Sequence, residues 1–95
     1  MVAIKVTTTS AGASTEATET RITVPLERAL VRLPGFHKLL SSSEQGVSTI
    51  WLQFKDINSQ EALRMVQLQV ASIALDLPDG VSRPLVSESS YPQEQ

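Results

Sequence analysis

The order strand, helix, strand, strand, helix, strand predicts an α+β domain of the split β-α-β, ferredoxin-like type: an antiparallel sheet with two helices on one face. Three observations carry that prediction: an alternating apolar start, two segments with apolar residues every three or four positions, and a polar, glycine-closed hairpin between two short runs. The two strand-helix halves are similar in scale, as the pseudo-symmetry of such a fold requires, without any exact internal repeat. A chain of 95 residues has room for one core and no separate catalytic domain. Residues 1–87 read as the folded unit and 88–95 as a polar C-terminal tail that frays.

Val2, Ile4 and Val6 alternate with Ala3, Lys5 and Thr7, the period of a strand with one buried face. After a Thr-Thr-Ser-Ala-Gly-Ala turn, the Ser14 hydroxyl can accept the unpaired amide hydrogens of a first helical turn, so a helix starts near Thr15. Ile22, Leu26, Leu30 and Leu33 form its core-facing stripe, and Arg21, Glu27, Arg28 and Arg32 lie largely outside it. Pro25 falls inside this pattern, crowding the carbonyl of Arg21 and deleting a hydrogen bond, which costs about 3 kcal/mol in an ordinary helix interior. Because the stripe keeps its phase across the proline, a kink is expected and not a break. Pro34-Gly35 ends the helix.

Phe36 to Leu40 reads as the second strand, with Ser41-Ser42-Ser43-Glu44-Gln45-Gly46 as the hairpin tip. The third strand, Val47 to Phe54, places Ile50, Leu52 and Phe54 on one face and Thr49, Trp51 and Gln53 on the other. Asn58 with Glu61 resembles a capping box, and Leu63, Val66, Val70, Ile73 and Leu77 then repeat at three and four, a second amphipathic helix. Pro78-Asp79-Gly80 stops it, and Pro84-Leu85-Val86 reads as a short edge strand.

Composition narrows the function classes. Hydrophobic residues at 41% and charged residues at 19% exclude wholesale disorder. Eight basic against ten acidic residues, net charge -2, give no concentrated positive field, so nucleic acid is not an expected partner. The absence of cysteine removes disulfides, thiolate nucleophiles and soft-metal sites together. No apolar run approaches the roughly 18 residues of a membrane span. The abrupt strand after Met1 suggests an excised segment.

Catalytic and ligand chemistry is sparse. His37 has no second histidine or clustered carboxylate at metal-ligand spacing and reads as a surface strand residue. The serines at 41–43 lack a nucleophile elbow, and each glycine closes a separate turn, leaving no phosphate loop and no expected cofactor. An acylphosphatase-type enzyme on this fold needs an arginine after the first strand, and residues 7–14 contain none. An RNA-binding version needs strand aromatics and a basic surface. Trp51 reads either as an interface residue or as a half-buried strand tryptophan with its indole N–H in water. A free-standing small-ligand regulatory module of this fold survives as the alternative.

The phrases Gly12-Ala13-Ser14-Thr15-Glu16, Val24-Pro25-Leu26-Glu27-Arg28-Ala29-Leu30 and Leu33-Pro34-Gly35 together resemble the first periplasmic porter subdomain of RND-type multidrug efflux transporters. The serine-rich hairpin and Leu77-Pro78-Asp79-Gly80-Val81 continue the resemblance in the same order, over roughly residues 2 to 90. The resemblance implies a soluble module on the periplasmic face of the bacterial inner membrane, without activity of its own. Its parent would be a multi-pass, homotrimeric, proton-driven exporter of drugs or other small molecules. Its partners would be the other porter subdomains and transmembrane part of that transporter, together with a periplasmic adaptor and an outer-membrane channel. It also implies that the second helix lies near the threefold axis, where three copies form a pore. The family's axis-facing positions then fall on Gln60, Arg64, Leu68, Ala71 and Leu75. Periodicity points to the same face, because these positions lie mostly away from the Leu63-Val66-Val70-Ile73 stripe. Leu68 and Leu75 are expected to contact another surface, the alternative being ordinary scattered exposed leucines.

Overall fold

A computed structural model describes residues 1–93; Glu94 and Gln95, the end of the expected tail, lie outside the described residues. Four strands, β1 (Val2–Thr9), β2 (Phe36–Glu44), β3 (Val47–Phe54) and β4 (Leu85–Ser89), form one antiparallel sheet in the order β2-β3-β1-β4. Two helical segments cover one face, as the strand and helix order predicts. The first comprises α1 (Thr15–Thr18), a π-helical turn (Glu19–Thr23) and α2 (Val24–Leu30); the second is α3 (Ser59–Ile73). The smallest dimension is 18 Å, the depth of one sheet and one helical layer.

Between the layers lies a single core. Ile4 and Val6 of β1 and Ile50, Leu52 and Phe54 of β3 are buried against Ile22, Leu26 and Leu30, and against Ala62, Val66 and Val70 of α3. Burying each such side chain removes it from water at a gain of roughly 1.5–3 kcal/mol, which is what fixes the phase of both helices. Leu33, Leu63, Met65 and Ile73 pack at the margin of this cluster. Between the helices, Gln69 Nε2 donates to the carbonyl of Ala29 at 2.8 Å.

The first helical segment continues across the proline without a break, as expected, and does so through a π turn. Val24 N–H bonds the carbonyl of Glu19, five residues back, and the backbone stays right-handed helical through Thr23 and Val24. The extra residue in this π turn gives the Pro25 ring room beside the preceding carbonyls, so the chain absorbs the proline one turn early.

The hairpin departs from expectation. β2 continues to Glu44, and the tip is only Gln45-Gly46. Ser41 and Ser43 are strand residues on the helix-facing side, in register with Ile50 and Ser48. Their hydroxyls are held by the first helix: Ser41 donates to Glu27 Oε2 at 2.8 Å and Ser43 donates to Glu19 Oε1. The buried Thr23 hydroxyl shares a hydrogen bond with Ser43 and donates to Ser48 Oγ at 2.7 Å. Polar residues that resemble a turn are thus a hydroxyl seam between helix and sheet. His37 is the extra residue of a bulge between Phe36 and Lys38 and is exposed.

At the other edge, β4 runs past Val86 to Ser89 because β1 offers partners from Thr7 to Ala3. Beyond it, the Tyr91 ring lies 5.4 Å from Lys38 Nζ. Trp51 is half-buried on the face away from the helices, in register with Lys5 and Leu40.

Candidate functional site

The candidate face belongs to α3, which begins where the Asn58 side chain accepts a hydrogen bond from the Glu61 N–H at 2.9 Å. This cap starts the helix at Ser59 and so sets which residues point inward. Ala62, Val66 and Val70 are buried on the sheet. At about 100° per residue, the stripe through Gln60, Arg64, Leu68 and Ala71 lies on the opposite side of the helix from them. All five residues singled out in the sequence, Leu75 included, are exposed. Leu68 retains 59% of its surface and Leu75 96%, unusual for leucines on an ordered element.

Leu75 is not on the α-helix proper. α3 ends at Ile73, and Ala74–Asp76 form a 3₁₀ turn, so the expected continuation of the helix to Leu77 is shortened. Pro78 is the cause. The residue before a proline is driven extended, Leu77 has φ -77 and ψ 153, and the last turn tightens to bond the Leu77 N–H to the Ala74 carbonyl.

Charge on this face is confined to its start. Arg64 folds back along the helix and grips Glu61, Nε to Oε2 at 3.0 Å with a second bond from Nη2 to Oε1. That bidentate hydrogen bond, and then the charge of Arg64, holds the Glu61 carboxyl below its ordinary value of 4.5. From Leu68 onward the stripe carries no charge until Asp76.

Beside the C-terminal half of α3, toward β4, runs a groove of about 550 Å³ lined mainly by apolar residues, among them Ala71, Ala74, Leu75 and Leu85. Sequence reading missed it. Leu85 was legible as strand, but its position beside α3 depends on how β4 registers with β1, and no local pattern encodes that. No three His, Asp or Glu side chains converge among the described residues, and His37 stands exposed near Lys55 and Lys38. Partial desolvation, with those two ammonium groups adding to it, holds its imidazole below the ordinary value of 6.5. No described helix is long and apolar enough to cross a membrane.

Comparison with known proteins places this architecture. The sequence profile of the AcrB/AcrD/AcrF family matches residues 1–95. Multidrug resistance protein MdtC of Edwardsiella ictaluri (strain 93-146) is 41% identical over 83 residues, covering 85% of this chain and 8% of that protein. MdtC of Shigella flexneri is 40% identical over 85 residues, again 85% of this chain and 8% of the relative. Among solved structures, a heavy metal efflux pump in crystal form II superposes with a TM-score of 0.81 at 31% identity, over 90% of this chain and 8% of the pump. The same pump in crystal form I gives 0.73 at 28% identity. This chain therefore spans only 8% of the length of these relatives.

Proposed function

This chain belongs to the AcrB/AcrD/AcrF family of RND-type efflux transporters, and we propose that within such a transporter it serves as a periplasmic structural subdomain that contributes contacts between protomers. The transporter would export drugs or other small molecules at the expense of a proton gradient, from the inner membrane through a periplasmic adaptor and an outer-membrane channel. This segment would supply none of the chemistry. Its work would be mechanical: a rigid two-layer plate whose α3 packs near a threefold axis against its sister copies, through Gln60, Arg64, Leu68, Ala71 and Leu75.

One observation carries this reading. The buried side of α3 is spent on its own sheet, while its outer side exposes Leu68 and the 3₁₀ turn that follows exposes Leu75. A helix that only roofed a sheet would gain nothing from leucines on its outer side, whereas a helix clasped on both sides needs them. Leu68→Asp tests the assignment. The variant chain should keep its circular dichroism spectrum and melt cooperatively within a few degrees of the parent sequence. A full-length transporter carrying the same change should elute in detergent as separate protomers. Loss of folding in the variant chain would place Leu68 in the core and defeat the reading.

A further inference from the structure

β4 and β2 are the two edges of the sheet, yet the segment that follows β4 meets a side chain of β2. Pairing sets Lys38, Gln53, Ala3 and Ser89 in one row across the four strands. The row lies on the face away from the helices, because the adjoining Leu39, Leu52 and Ile4 point to the core. At about 4.8 Å per strand, Ser89 and Lys38 stand about 14 Å apart along it. Two residues of chain span at most about 7 Å, so Tyr91 cannot meet Lys38 by following β4 onward. The segment has to turn inward over β1, with the Tyr91 ring and the Lys38 stem bridging the remainder above Ala3 and Gln53. The ring centroid and Nζ end 5.4 Å apart.

Burial supports the same course. Ala3 is 6% exposed although it lies on the open face between Gln53 and Ser89. Thr7, on the same strand and face but at the far end, keeps more of its surface. The difference is a cover over Ala3, and the segment turning back from Ser89, with Tyr91 and Pro92 half-buried, supplies it. We propose that residues 90–93 form a strap across one end of the outer sheet face, seated on Ala3 and latched to β2 through Tyr91 and Lys38. These residues belong to no strand, so the strap lifts without breaking the ladder. Its latch, a cation against a ring at an exposed site, is weak enough to open and reclose. Closed, it links two edge strands that do not pair and covers the end of the face next to Trp51, two positions from Gln53 on β3; lifted, it bares that end. Lys38 is also the first residue to pair after the bulge at His37, so the latch holds β2 where its ladder is interrupted.

Methyl relaxation by a soluble nitroxide tests the strap on the full chain, since Ala3 carries a methyl beneath it. In the parent sequence that methyl should relax nearly as slowly as those of Ile4 and Val6 in the core, and more slowly than that of Thr7. Tyr91→Ala should raise the Ala3 rate several-fold. Unchanged rates at Ile4, Val6 and Thr7 would establish that the sheet is still folded; should they change, Tyr91→Leu replaces the variant. Lys38→Met keeps the stem and removes the charge, and should raise the Ala3 rate in part, whereas Lys38→Arg, which also stacks on rings, should leave it low. An Ala3 methyl as shielded without the Tyr91 ring as with it would overturn the strap, because its sheet neighbours would then be what buries it. Release by the Tyr91 variant but not by Lys38→Met would overturn the latch.

Discussion

Two buried threonines on facing layers meet opposite hydrogen-bonding fates. Thr23 lies under the π turn and ties the first helix to Ser43 and Ser48, whereas Thr8 Oγ1 is buried with no hydrogen-bond partner among the described residues. Replacing a hydroxyl by a methyl of similar volume should therefore change stability in opposite directions at the two positions. Thr23→Val strands the serine hydroxyls it served and should cost about 1–3 kcal/mol. Thr8→Val removes an uncompensated buried dipole and should gain about 1 kcal/mol. Urea titrations with an unchanged slope would check both values, and equal signs would contradict the seam as described. The sequence reads Thr8 as part of the turn after the first strand, whereas in the structure β1 continues to Thr9. Which of the two threonines finds a partner depends on how the helix lies over the sheet.

Among the elements, the helices were the more legible, because each buries a wide stripe whose period survives local irregularity. The Ile22-Leu26-Leu30 stripe predicted the first helix correctly, but the device that accommodates Pro25 was invisible, since one extra residue in a turn leaves no compositional mark. The hairpin was read too short for a related reason. Serines favour turns through local hydrogen bonds, yet here Glu19, Thr23 and Glu27 of the neighbouring helix satisfy them within a strand. Gly46 makes the two-residue tip possible: its φ is +72, and a Cβ there would stand 2.6 Å from the Ser10 carbonyl oxygen. Gly46→Ala should cost about 2–4 kcal/mol through clash and strain together. Gly12→Ala, at φ +83 with nothing within 4 Å, should cost only about 1 kcal/mol. Thermal unfolding of the two variants separates these contributions, and equal losses would mean that the contact with Ser10 is easily relieved.

The whole molecule is thin, with its helices on one side only and a largely uncovered sheet face carrying Trp51, Lys5 and Leu40. Its exposed leucines are scattered over β2 (Leu40), α3 (Leu68), the 3₁₀ turn (Leu75) and β4 (Leu85), too dispersed to offset the entropy of association unaided. Sedimentation equilibrium should accordingly find the chain monomeric at concentrations of about 10–50 µM, well above the range of a tight obligate interface. A stable trimer there would mean a stronger contact than one helix face can provide. Sequence alone determined the element order, the core stripes, the cap at Asn58 and the exposed set from Gln60 to Leu75, because each follows from local period or from hydrogen bonding within a few residues. The π turn, the hydroxyl seam and the groove were decided only by tertiary structure. Each arises where elements distant in sequence are brought together by the pairing of β1 with both β3 and β4, a long-range register that no short window of residues contains.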